Sequence, residues 1–277
     1  MSEAKIIGLF PNGRKKALTF SYDDGITQDK RLVKLFNDNG LKATFNLNSG
    51  IQSEESQWVN KGITIKRMNK ADILHLYDGH EVAVHSMTHP HLENMTKSEV
   101  IEEILDDKKN LEAMFGYPVR GMAYPFGTYN ETVLQVLREV GIEYSRTVNQ
   151  HESFSLPEEP LTWNPTCYHK NPKLMDIVNK FLTEEPESMS LFYLWGHSYE
   201  FDLDDNWDLI EKFCSLVSGR NDIWYATNIE ILDYINAFKS LKVSAESDMV
   251  YNPSAISVWV SVNNIQYEIK PGELKKF

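Results

Sequence analysis

A chain of 277 residues, 42% hydrophobic and 25% charged, has the balance of an ordinary folded protein, which excludes a disordered or fibrous one. Its net charge of −12 argues against a nucleic-acid partner, because holding phosphate requires clustered Lys and Arg. No apolar run reaches membrane-spanning length, so no membrane association is expected. The N-terminus lacks a signal-type apolar core, and the expected location is cytoplasmic.

The predicted elements alternate between β-rich runs and amphipathic stretches. A strand over Lys16–Tyr22 is followed by a helix over Gln28–Asn39, with Leu32, Leu35 and Phe36 at helical spacing and Gly40 after it. Leu41–Leu47 is a second strand. Asn69 is placed to cap a short helix reaching Tyr77, and Glu81–Val84 is a third strand. Thr96 and Glu99 form a capping box that opens a helix ending at Gly116. A strand run beginning near Val119 leads to Tyr124-Pro125-Phe126-Gly127, and a helix over Thr132–Val140 stops at Gly141. Then come a helix near Pro172–Leu182, a strand over Leu191–Trp195, a helix over Trp207–Val217, a strand over Ile223–Ala226 and a helix near Ile229–Phe238. Repeated helix–Gly–strand units indicate parallel strands with crossover helices, an α/β fold. The segments 49–67 and 150–172 break this rhythm and read as insertions. After Lys239 the pattern changes to a β-hairpin with a two-residue Asn263-Asn264 turn, expected to pack on the main domain. The chain therefore divides into a main α/β domain over 1–240 and a C-terminal hairpin extension over 241–277. The two cysteines, Cys167 and Cys214, read as free thiols, since neither belongs to a C-x-x-C pair.

Reactive side chains cluster directly after predicted strands. Asp23-Asp24-Gly25 follows the first, His85 through His89 the third, and Gly196-His197 the strand ending at Trp195. Parallel strands share one carboxyl-terminal face, where active sites of α/β folds lie. Topology thus brings together residues far apart in sequence. Adjacent carboxylates repel unless a cation relieves them, in which case one can ligate and the other stay free as a base. His85 and His89, four apart with Asp24 available, complete a ligand set suited to a catalytic divalent metal with open positions. Zinc is the first expectation, with cobalt, nickel or manganese as alternatives. His80 and His91 read as bystanders.

Taken together, these motifs resemble the polysaccharide deacetylases of carbohydrate esterase family 4, the NodB-homology superfamily. Ser21-Tyr22-Asp23-Asp24-Gly25 is similar to that family's Thr-Phe-Asp-Asp-Gly motif, His85-Ser86-Met87-Thr88-His89 to its two-histidine motif, and Leu194-Trp195-Gly196-His197 to its late histidine motif. The resemblance covers roughly residues 15–240. It implies a distorted (β/α) barrel of seven strands and removal of N- or O-acetyl groups from a carbohydrate. It further implies Asp23 as general base, Asp24, His85 and His89 as metal ligands, and His197 as general acid. The oxyanion and substrate side falls to Tyr124, Pro125 and the backbone N–H of Phe126.

The match has gaps. The family places an Arg two residues before its Pro-Tyr pair, where this chain has Ala123; Arg120, five before Pro125, is the nearest candidate partner for Asp23. Phe126 replaces the tyrosine. The motif whose Asp backs the catalytic His has no counterpart; Glu200 and Asp202, just after His197, are candidates to orient it, although surface acids are the favoured reading. Trp163 is a candidate sugar-stacking wall, with Cys167 and His169 in the same loop. Alternative readings are a hydrolase of a non-sugar amide, such as a ureide or cyclic imide, and a sugar-binding protein without activity.

Overall fold

The computed structural model describes residues 5–277. Eight parallel strands form its centre: β1 Lys16–Asp23, β2 Thr44–Leu47, β3 Glu81–Val84, β4 Gly121–Ala123, β5 Tyr144–Arg146, β6 Cys167–Tyr168, β7 Ser190–Gly196 and β8 Ile223–Tyr225. Seven lie on one path in the order β5-β4-β3-β2-β1-β7-β6, giving the expected α/β distorted barrel. The eighth, β8, pairs with the first half of β1, below the point where β2 joins the same edge. Backbone bonds also link the two edges of the path. Trp163 N–H donates to Ser145 O (2.9 Å) on β5, while Thr166 N–H donates to Tyr193 O (2.9 Å) on β7. Segment 163–168 therefore closes the curled sheet.

The period of two along each strand explains both layers of the core. Leu18, Phe20 and Tyr22 of β1 face outward into a large apolar cluster. It is completed by helical residues such as Leu32, Phe36, Ile210 and Phe213. The alternate residues of β1, Ala17, Thr19, Ser21 and Asp23, are small or polar and equally buried. They meet an interior that is largely a hydrogen-bond network. Thr19 donates to Asn228 (2.8 Å), Thr44 to Glu81 (2.7 Å) and Tyr144 to Glu81 (2.7 Å). Such groups are tolerated away from water because each finds a partner.

The helices follow their sequence signals closely. Helix Asp29–Asp38 buries Leu32, Val33 and Phe36, and Thr96 forms the capping box foreseen for Lys97–Ile101. Asn69 precedes a shorter helix than expected, Lys70–Ile73, and does not cap it; its amide bonds Glu54 instead (2.8 Å). The last helix, Asn228–Ser240, opens on a second capping box, Thr227 with Glu230. Both cysteines are free and buried. Segment 49–67 contains an antiparallel hairpin, Gln57–Asn60 with Ile63–Lys66. Beyond the barrel, Val258–Val262 and Ile265–Ile269 form the C-terminal hairpin, with Asn263 and Asn264 both at positive φ as its tight turn demands. The N-terminal strand Ile6–Leu9 joins it antiparallel, and Tyr234 ties both to the last helix by donating to Leu9 O (2.6 Å) and accepting from Trp259 N–H (2.9 Å). No helix among the described residues is long and apolar enough to cross a membrane.

Candidate active site

The inward rows of four strands run on to a charged or titratable side chain. Ser21 leads to Asp23, Ala83 to His85, Tyr144 to Arg146, and Trp195 to His197, each two residues further along. These ends open into a cavity of about 500 Å³, lined at its floor by Asp23, Asp24, Arg67, His85, His89 and His197. Aromatic rings of Trp58, Tyr124, Phe126, Trp195 and Tyr199 form much of its wall. The five residues assigned to catalysis and metal binding thus share one cavity.

Asp24, His85 and His89 present one ligand atom each, all within 4.8 Å of one another. His85 Nδ1 lies 2.7 Å from Ala123 O, which fixes the ring and leaves Nε2 towards Asp23 (3.9 Å). Burial holds its pKa down, at about 4, so the ring is neutral near pH 7 and has a lone pair for a cation. His89 is likewise shifted down by burial. For Asp24, burial opposes ionisation, yet Arg67 and the neighbouring imidazoles outweigh it and lower the pKa to about 2. An ionised carboxylate with two neutral imidazoles is a donor set that fits a divalent transition metal.

The backbone around these groups is unusual. Asp24 (φ 86°), Ser86 (φ 65°), His89 (φ 60°) and Phe126 (φ 57°) all adopt the left-handed region without being glycine. Such conformations cost roughly 1–3 kcal/mol each and gather where surrounding structure enforces them, often at functional sites. The enforcing contacts are visible. Ser86 Oγ accepts from His89 N–H (3.1 Å), and Gln52 donates to Asp24 O (3.0 Å). A π-helical turn, Glu102–Asp106, lies behind the histidine loop. Glu103 O accepts from Met87 N–H (2.9 Å), its carboxylate accepts from Thr88 N–H (2.9 Å), and Asp107 accepts from His85 N–H (3.1 Å). Turns of this kind commonly mark functional positions because they free a carbonyl for outside partners.

Asp23 is buried beneath the cavity, where Arg146 donates to Oδ2 and Asn46 donates to Oδ1 (2.8 Å). Burial favours the protonated acid, but Arg146, His85 and His197 together hold the pKa below the ordinary value. The arginine beside Asp23 is therefore Arg146, not Arg120. Arg120 precedes β4, at the opposite end of the barrel, and is engaged by Glu143 and Asp233. Position at the start rather than the end of a strand was the signal that separates them.

His197 Nε2 lies 3.7 Å from Asp23 Oδ2, and its Nδ1 lies 3.3 Å from Glu200 Oε2. Of the two readings open to Glu200, the structure supports the one beside His197: it is buried rather than a surface acid, accepts from Tyr168, and lies 3.0 Å from His169 Nε2. Burial disfavours imidazolium at His197, but Glu200, Asp23 and Asp24 prevail and raise its pKa to about 9. Gly196 permits this packing, since a Cβ there would stand 2.1 Å from His169 Nδ1. Asp202 is structural, accepting from Gln28 and Trp207.

Tyr124 and Phe126 line the cavity, and Pro125 is buried at the start of their turn. His91 stacks on Phe126 with centroids 3.8 Å apart, so it supports the cavity rim. His80 lies elsewhere, bonded to Asn37 and Ala43. Trp163 does not line the cavity. It is barrel core, edge-on to Tyr144 and Tyr193. The tryptophans in the cavity wall are Trp58, from the inserted hairpin, and Trp195.

Residues 11–145 match the family model described as Polysaccharide deacetylase. Among curated proteins, 111 residues align at 24% identity with uncharacterized protein YlxY of Bacillus subtilis (strain 168), covering 40% of this chain and 30% of that one. The aligned region thus spans less than a third of that relative. Similar solved structures include a Mycobacterium smegmatis protein assigned as a polysaccharide deacetylase (TM-score 0.61, 16% identity, 84% of this chain and 94% of that one). The Xyl-CE4 domain of a multidomain xylanase from the hindgut metagenome of Trinervitermes trinervoides matches with a TM-score of 0.54 at 16% identity, over 81% and 92% of the two chains. A family 4 carbohydrate esterase from Streptomyces lividans, solved with acetate, gives 0.50 at 15% identity over 77% and 93%. At such identities the likeness establishes the fold.

Proposed function

We propose that the chain, whose residues 11–145 match the polysaccharide deacetylase family model, is a metal-dependent hydrolase removing N- or O-acetyl groups from a carbohydrate. The observation that carries this reading is the convergence of Asp23, Asp24, His85, His89 and His197 in one cavity at the strand ends. Asp24, His85 and His89 would hold the cation. When bound, a divalent metal polarises an acyl carbonyl and makes water a stronger acid.

The remaining roles follow from the chain's own groups. Asp23, kept ionised by Arg146, takes the proton of the attacking water. The backbone N–H of Phe126, on the turn beside His89, donates to the oxyanion that develops. His197, on the other side of Asp23 and kept protonated by Glu200 and the two aspartates, delivers a proton to the departing nitrogen or oxygen. Trp58, Trp195, Tyr199 and Phe126 offer flat apolar faces against which a pyranose ring can lie.

The test is acetate release from a panel of acetylated mono-, oligo- and polysaccharides with metal-reconstituted protein. Chelation should abolish release, and Zn, Co, Ni or Mn should restore it; activity that persists in excess chelator would sink the metal-dependent reading.

His197→Ala separates the acid role from general damage. The amine of an acetamide is a poor leaving group unless it is protonated, so acetamide hydrolysis should fall by roughly 10²–10⁴-fold, while an acetyl ester with a good leaving group should lose far less. Equal losses on both substrates would count against the general acid. The pH profile carries the same sign. The acid form of His197 exists below its pKa, about 9 in the metal-free protein and lower once a cation offsets Asp23 and Asp24. Amide hydrolysis should therefore decline as pH rises through or somewhat below that region, and the decline should be absent from His197→Ala.

A further inference from the structure

Segment 49–67, which interrupts the α/β rhythm, does more than line the cavity. Its second strand, Ile63–Lys66, runs directly into Arg67, and the backbone there is stitched to the Asp-Asp-Gly loop. Thr27 N–H donates to Lys66 O (3.0 Å) and Met68 N–H donates to Gly25 O (3.0 Å). Arg67 is thereby held against Asp24. Its guanidinium donates to Asp24 Oδ1 (3.1 Å), to Asp24 O and to Asn48 Oδ1 (2.8 Å). Trp58 of the same hairpin lies over it, 5.4 Å from ring centroid to guanidinium carbon. Side chains of both Arg67 and Asp24 are less than a tenth exposed.

The cavity floor thus contains two buried carboxylates, each with its own buried guanidinium: Asp23 with Arg146 and Asp24 with Arg67. Opposite charges in contact away from water interact strongly. Such a floor is charge-balanced before any cation arrives. Moreover, Asp24 Oδ1, the atom that Arg67 holds, lies 3.9 Å from His89 Nε2, on the side where the ligand atoms converge. A cation at this place shares its carboxylate with a fixed positive charge.

We propose that Arg67 is a positioning residue that holds Asp24 ready for the cation, stabilises the metal-free protein and limits how tightly the metal is bound. The inference rests on the metal-site reading above and assigns to the hairpin insertion a part in it. Removing the guanidinium should leave Asp24 a buried carboxylate in need of a counter-charge, and the cation becomes that counter-charge.

The experiment compares the wild type with Arg67→Met, Arg67→Gln and Arg67→Lys. Zn²⁺ affinity is read by competition with a chromophoric chelator, and melting temperature is measured with excess chelator and with Zn²⁺. Arg67→Met should bind Zn²⁺ roughly tenfold or more tightly, as loss of a buried like charge beside the cation demands. Its melting temperature should fall further in chelator than in Zn²⁺, so that the stabilisation conferred by the metal widens. Arg67→Lys, which keeps the charge and loses the fork, should stay within about threefold of wild-type affinity. If Arg67→Met does not fold, Arg67→Gln against Arg67→Lys decides, with the neutral side chain expected to give the tighter site. Affinity that falls or stays level in the neutral variants, or melting temperatures that drop equally with and without Zn²⁺, would overturn the proposal. A wild type whose Zn²⁺ binding is unaffected by His85→Ala would instead overturn the metal-site reading itself.

Discussion

Asp23→Asn is expected to leave Zn²⁺ binding close to wild type while lowering acetate release by roughly 10²–10⁴-fold, the span contributed by a positioned general base. The asymmetry between the two adjacent aspartates is geometric. Asp24 converges with His85 and His89, whereas Asp23 is committed to Arg146 and Asn46 and lies between His85 and His197. Asn preserves the shape and keeps one oxygen to accept from Arg146, so the fold should survive at reduced stability, since Arg146 loses its counter-charge, and an amide cannot take up the proton. Metal content of the purified variant, measured alongside kcat, checks both halves. If the metal left with the Asp23 carboxylate, the roles of the two aspartates would have to be exchanged.

Arg146→Met should produce the largest loss of stability among the cavity residues. Arg146 is 1% exposed, donates to Asp23 and Ser21, and lies over the Trp195 ring at 4.4 Å. Removing one partner of a buried pair leaves an uncompensated charge, which costs about 3–5 kcal/mol. Chemical denaturation of the metal-free protein would measure it, and a loss under about 1 kcal/mol would place the pair among exposed ones. The catalytic consequence has a definite sign. Burial alone raises the pKa of Asp23, and Arg146 is the leading influence that lowers it. Without Arg146 the carboxyl should protonate at higher pH, so the acid-side decline of activity should move upward in pH. Double substitution with Asp23→Asn should recover part of the stability, because the orphaned charge is then gone.

Much of the site was legible in the sequence for a physical reason. Asp23-Asp24-Gly25, His85–His89 and His197 each follow a strongly apolar strand, and parallel topology alone sends strand ends to one face. Period two then turns Asp23, His85 and His197 inward. Capping boxes and glycine stops are equally local, which explains why most helix ends agree with their sequence signals.

What escaped is which charges are buried behind these residues, most of them recruited from far along the chain, Glu200 from only three residues beyond His197. Arg146, Arg67 and Glu200 look in sequence like any of the chain's many charges, and nothing within a few residues marks them as buried. Arg120 stood nearer in sequence to the turn at Pro125, yet a three-residue strand separates the two ends of the barrel. Trp163 and Trp58 are alike as letters; one closes the barrel and the other rides a hairpin over the cavity. The sequence by itself determined the α/β pattern, the face on which the chemistry lies and the residues that reach it first. Only the tertiary structure decided which charges stand behind them, because burial and pairing depend on how the strand ends, the hairpin insertion and the segment after His197 pack together.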